Sequence, residues 1–101
     1  MHCLTVLYPT PDDPKAFRDY YVGRHVPLAR SLPGLVRATY AFPEQMGPGA
    51  SPFCIFQAYF PDAATMGAAL ASEVGAQVAA DVPNYSPKGA ALCNFPVETA
   101  P

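Results

Sequence analysis

Phe53-Cys54-Ile55-Phe56-Gln57-Ala58-Tyr59-Phe60 is apolar at almost every position and is closed by Pro61. It has the composition of a β-strand. Cys54, Phe56, Ala58 and Phe60 point to one side, and Phe53, Ile55 and Tyr59 point to the other. Both faces of this strand therefore need cover. Just upstream, residues 35–42 alternate well enough for another strand. Between the two, residues 43–52 hold three prolines and two glycines and make a loop. The pair is an antiparallel hairpin with a long connection.

Working outward, each strand of the hairpin is flanked by a helical segment. On the C-terminal side Asp62 caps a helix whose inner stripe is Met66, Leu70, Val74 and Val78. Ser72-Glu73 resembles a fresh helix start, so two pieces meet there, and Pro83 is expected to end the second. Residues 84–89 then form a turn. On the N-terminal side Asp13 caps a helix with Pro14 at its first position. Phe17, Tyr21, Leu28 and Leu32 form its stripe, with His25 at the margin. Pro27 donates no hydrogen bond, crowds the Gly23 carbonyl and pushes Val26 away from helical geometry. A kink or break is expected near residues 23–27, with His25 inside it.

The outermost elements are two more strands, residues 3–8 and 91–97. The first is apolar on both faces and belongs in the sheet centre. The order is β-α-β-β-α-β. With right-handed crossovers this is an α+β, ferredoxin-like split sheet in a single domain over residues 1–101, with both helices on one face. The other sheet face needs a cover, and a second copy of the chain is the simplest one. Burial of ~800 Å² per partner would be ordinary for such a homodimer.

Composition narrows the partners. Half of the 101 residues are hydrophobic, only 14% are charged and the net charge is −2. A domain this short buries only about 60–65% of the surface its unfolded chain exposes, which also favours an interface. With no basic run, nucleic acid and anionic membranes are poor partners. Cys3, Cys54 and Cys93 have no zinc spacing and lie in apolar runs. They are expected to be buried, reduced thiols, which suits the cytoplasm. Residues 1–5 enter a strand directly, without the pattern of a signal peptide, and no apolar stretch reaches membrane-spanning length.

His25 is the first candidate for chemistry, because an imidazole with a pKa near 6.5 is acid or base at neutral pH. Tyr20 and Tyr21 diverge by about 100° on the same helix, so Tyr21 points inward and Tyr20 reaches the edge of that space. Asp81, Asn84 and Tyr85 cluster at the end of the last helix, where they either orient His25 and contact a ligand or bond local backbone. Phe17, on the stripe with Tyr21, adds an aromatic wall. Asp12 and Asp13 serve the turn and cap, the four arginines are surface charges, and His2 is expected to be exposed. No glycine-rich nucleotide motif, metal-ligand pattern or tryptophan is present. No cofactor is therefore expected.

Residues 17–28, Phe-Arg-Asp-Tyr-Tyr-Val-Gly-Arg-His-Val-Pro-Leu, with Leu32-Pro33-Gly34-Leu35, resemble the EthD family pattern F-x-x-Y-Y-x-x-x-H-x-P-L…L-P-G-L. Ser72-Glu73-Val74-Gly75 and Asp81-Val82-Pro83-Asn84-Tyr85 resemble its second conserved segment. The resemblance implies a dimeric α+β barrel with a ligand between the helices and the sheet. It maps the family histidine onto His25 and the family's acidic and amide positions onto Asp81 and Asn84. Relatives of that fold include muconolactone-type isomerases and cofactor-free monooxygenases. The loop over residues 43–52 carries no second histidine, so a two-histidine mechanism is not expected.

Three functions follow as expectations. The first is a cofactor-free enzyme in which His25 moves a proton on a small cyclic or aromatic oxygenated compound, with Tyr21 or Asn84 binding the charged oxygen. The second is a non-catalytic binding or accessory protein for an oxygenase pathway. The third is haem binding through His25.

Overall fold

The computed structural model describes residues 1–101. The elements are β1 (His2–Tyr8), α1 (Pro14–Tyr20), a π-helical turn (Tyr21–His25), α2 (Val26–Ala29), β2 (Arg37–Ala41), β3 (Cys54–Phe60), α3 (Ala63–Ala71), α4 (Glu73–Tyr85) and β4 (Ala91–Pro96). The four strands form one antiparallel sheet in the order β2-β3-β1-β4. This is the ferredoxin-like α+β arrangement, with β2, β3 and β4 slightly shorter than the sequence pattern suggests and β1 one residue longer.

Register sorts the side chains. Leu4 lies opposite Ala58, Val6 opposite Phe56 and Tyr8 opposite Cys54. All six are buried under the helices, where Phe17, Tyr21, Ala29, Leu32, Phe60, Met66, Ala69 and Tyr85 complete the core. The other face shows Leu7, Ile55, Tyr59 and Phe95 around Thr5, Thr39 and Gln57. No helix covers it, and the molecule is a two-layer slab of 37 × 35 × 18 Å. Cys93 lies on this bare face and is exposed, unlike the buried Cys3 and Cys54. It sits on edge strand β4, whose residues are all exposed in the single chain. His2 is half-buried rather than exposed, because its ring bonds Asn94 on β4 at 2.9 Å.

The helices keep their expected caps. Asp13 accepts from the Ala16 N–H at 3.0 Å, and Asp62 from the Thr65 N–H at 2.7 Å. Ser72 ends α3 and starts α4: its hydroxyl donates to the Ala69 carbonyl at 2.6 Å and accepts from the Gly75 N–H at 3.1 Å. Gly75 must be glycine here, since a Cβ would fall onto the carbonyl oxygens of Ala69 and Leu70.

Two expectations about proline fail for stated reasons. Pro27 does not break its helix, and Val26 is fully helical at φ −58°, ψ −46°. The chain instead widens into a π-turn, with the Val26 N–H bonded to the Tyr21 carbonyl five residues back. The extra residue in that turn shifts the register. The buried stripe becomes Phe17, Tyr21, His25, Ala29 and Leu32, so His25 moves from the margin to the centre and Ala29 replaces Leu28. On α3 the buried residues are Met66 and Ala69, while Leu70 is 41% exposed. Pro83 sits inside α4 rather than ending it. It falls in the last full turn, and the Ser86 N–H closes that turn on the Val82 carbonyl at 2.8 Å. Asn84 and Tyr85 are therefore helical, and the tight turn is confined to 86–89, with Gly89 at φ +85°.

Candidate active site

Two helical segments supply the polar groups. Tyr20, Tyr21 and His25 come from the end of α1 and the π-turn, and Asp81, Asn84 and Tyr85 from one face of α4 at i, i+3, i+4 spacing. Asp81 is the hub. Its Oδ1 accepts from the Tyr20 hydroxyl at 2.6 Å and from the Asn84 amide at 3.0 Å, and its Oδ2 faces His25 Nδ1 at 2.9 Å. The His25 and Asp81 side chains are 3% and 14% exposed.

Burial opposes ionisation of Asp81, but the hydrogen bonds from Tyr20, Asn84 and His25 outweigh it and hold the carboxyl below its ordinary range. Burial lowers the His25 pKa, and Asp81 only partly restores it. The pair at neutral pH is thus a carboxylate and a neutral imidazole. The carboxylate fixes the proton on Nδ1, which leaves Nε2 as the nitrogen with a free lone pair. No protein partner occupies Nε2.

Aromatic rings surround this pair. Tyr21 stacks on His25 at 5.3 Å and 22°, and Tyr85 lies 4.6 Å from it on another side. Phe17 stacks on Tyr21 in turn, at 5.4 Å. Burial raises the pKa of Tyr21 and of Tyr85, so both stay protonated. The hydrogen bond to Asp81 does the same for Tyr20. Burial pushes the Cys54 thiol up to about 11, so it is not a thiolate nucleophile at neutral pH. The Tyr21 hydroxyl is buried with no hydrogen-bond partner.

His25 lines a cavity of about 280 Å³ between the helices and the sheet. Its walls include Val6, Leu32, Phe56, Val78, Val82 and Leu92. Tyr8 is the one other side chain in the lining with a polar atom. The remaining candidate residues lie elsewhere. Phe17, Tyr20, Asn84 and Tyr85 border a separate cleft of about 330 Å³ at the surface, beside Pro11 and Lys88. Asp81 bonds to residues on both sides, and Tyr21 borders neither space. Sequence reasoning brought His25 and Asp81 together but missed Tyr8, one residue in a strand that is apolar on both faces. No three His, Cys, Asp or Glu side chains converge as a metal site.

A ferredoxin-like sheet with a buried histidine–carboxylate pair beneath its helices defines the class. The chain matches the EthD domain over residues 10–89 and belongs to the EthD family. It is 34% identical to an uncharacterized 11.0 kDa protein encoded in the thcB-thcC intergenic region of Rhodococcus erythropolis, over 98% of this chain and 97% of that one. The structure is similar to an EthD family protein of Bacillus halodurans, at TM-score 0.87 and 25% identity, over 97% of this chain and 99% of that chain. It also matches the cofactor-independent oxygenase SnoaB of Streptomyces nogalater, at TM-score 0.69 and 16% identity, over 98% and 94% of the two chains. That last likeness is one of fold. No helix is long and apolar enough to cross a membrane.

Proposed function

We propose that the protein is a cofactor-free enzyme in which His25 Nε2 removes a proton from a small cyclic or aromatic oxygenated compound bound between the helices and the sheet. The observation that carries this is the Asp81–His25 pair, with its one unpartnered nitrogen on an apolar cavity. Asp81 holds the imidazole in the productive tautomer and stabilises the imidazolium once the proton arrives. Tyr20 and Asn84 hold Asp81 in place. Proton removal from an enol, phenol or lactone is common to isomerisation and to oxygenation without a cofactor, so the site is compatible with either. Tyr21, stacked on His25, is the ring that fixes the imidazole plane, and Phe17 and Tyr85 support it. A positioned base of this kind contributes roughly 10²–10⁴-fold.

The test is hydrogen–deuterium exchange at the acidic carbon of enolisable lactones and ketones, followed by NMR with wild type and His25→Gln. Wild type should accelerate exchange by about that factor, and the variant should lose it. Equal rates would sink the catalytic role. That outcome would favour a non-catalytic binding protein, a reading supported by the lack of any carboxylate or second histidine in the cavity lining. Haem is disfavoured by size. The cavity, at about 280 Å³, is only about twice the ~150 Å³ hole that holds benzene, too small for a four-pyrrole macrocycle.

The working form we propose is a homodimer closed through the bare sheet face. Leu7, Ile55, Tyr59 and Phe95 lie on a face that no helix covers. Sedimentation of wild type and Ile55→Glu tests it: a dimer that the charge converts to monomer is expected, and a monomeric wild type would refute it.

A further inference from the structure

We infer that the ligand of the His25 cavity is an uncharged molecule of about two rings, free of carboxylate and phosphate, whose oxygen is held by Tyr8. This deepens the proposed function and rests on the same cavity.

Charge comes first. Eleven of the thirteen lining residues are hydrophobic, and no Lys, Arg, Asp or Glu is among them. An anionic group brought inside would lose its hydration and gain no cation. The nearest ionised group is the Asp81 carboxylate, 2.9 Å behind the imidazole, which repels a second anion. Substrates bearing a free carboxylate are therefore excluded from this site, whatever their ring system.

Size comes second. The cavity of about 280 Å³ is close to twice the ~150 Å³ that encloses one benzene ring. Two fused rings, or one ring with a short alkyl chain, match that volume, and four fused rings do not. Leu70 and Leu92 are 41% and 61% exposed and belong to the lining, so they mark the open side.

Polar placement comes third. The Tyr8 hydroxyl lies 2.7 Å from the Tyr85 hydroxyl, and Tyr8, not Tyr85, belongs to the cavity wall. When Tyr85 donates to Tyr8, the Tyr8 hydrogen makes no other hydrogen bond within the chain. That hydrogen is available to a ligand oxygen in the cavity that Tyr8 and His25 both line. A carbonyl or phenol oxygen that gains negative charge as His25 takes the proton would then be stabilised by Tyr8. Burial raises the Tyr8 pKa and keeps it a donor.

Isothermal titration separates the three parts. The ligands are β-tetralone, tetralin carboxylate of the same ring system, and a four-ring ketone. Wild type should bind β-tetralone and bind the carboxylate at least about a hundredfold more weakly, with no binding of the four-ring ketone. Tyr8→Phe should weaken tetralone roughly three- to tenfold. Leu92→Trp, at an exposed position in a chain with no tryptophan, gives an independent fluorescence report at the mouth. It also keeps the test alive if Tyr8→Phe fails to fold. Equal binding of the carboxylate, tight binding of the four-ring ketone, an unchanged affinity in folded Tyr8→Phe, or no binding of tetralone overturns the inference. Tight tetralone binding without deuterium exchange would leave it standing while sinking the catalytic role of His25.

Discussion

Asp81→Ala is the substitution whose cost can be worked most directly from the geometry. It removes the acceptor of three hydrogen bonds, but the three donors differ in burial. Asn84 is exposed and Tyr20 is half-buried, so both can turn to water. His25 cannot, because its side chain is 3% exposed and its Nδ1–H is left facing the gap. A hydrogen bond to a charged group contributes about 1.5–3 kcal/mol, and a buried donor left unsatisfied costs about 1–3 kcal/mol. These are two descriptions of one loss, so the expected destabilisation is about 2–3 kcal/mol, or roughly 10–20 °C in Tm for a domain of this length. Asp81→Asn keeps an oxygen for Nδ1 and should cost only about 1 kcal/mol. Urea unfolding at neutral pH of wild type, Asp81→Ala, His25→Ala and the double variant closes a thermodynamic cycle. The coupling between the two residues should be about 1–2 kcal/mol. If the single losses add to within about 0.5 kcal/mol, the pair is not the structural unit described above.

Acidification should weaken the fold in two stages. The folded pKa of His25 is lowered by burial, so its contribution is fully present above the unfolded value near 6.5 and declines as pH falls below it. Asp81, also depressed, adds a further loss below about pH 4. Urea midpoints against pH should show the first stage in wild type and not in His25→Gln, and an identical profile in the variant would contradict it. Tyr21→Phe removes a buried hydroxyl that has no partner, so stability should be unchanged or higher by up to about 1 kcal/mol. A clear loss in differential scanning calorimetry would mean the hydroxyl is bonded after all. Gly75→Ala should cost about 1–3 kcal/mol, read as a lower Tm, because its methyl meets two carbonyl oxygens at the α3–α4 junction. A neutral result would show that the junction can open.

Local signals carried the element order. Asp13, Asp62 and Ser72 each cap a helix through their own side chains, within three residues of the N–H they bind. The alternation of Cys54, Phe56, Ala58 and Phe60 separated the two faces of β3, and the fold buries that one under the helices. The motif around Tyr20, Tyr21 and His25 placed the chain in its family. The effect of Pro27 was legible only in part. A missing N–H predicts that the regular ladder cannot continue, but whether the helix breaks or widens depends on what packs against it. Here the sheet and α4 hold both arms in line, and the π-turn is the solution that keeps His25 inside.

What the sequence by itself determined is therefore the fold, the family and the identity of the one titratable group at the centre. Tertiary structure decided between the two readings of Asp81, 56 residues away, in favour of the bond to that group, and it alone decided that Tyr8 shares its cavity and that Tyr20, Asn84 and Tyr85 border a different cleft. The physical reason is the range of the interactions. Capping and alternation act within a few residues along the chain. A cavity and a histidine–carboxylate hydrogen bond are set by how two helices close over a sheet, a distance the sequence does not carry.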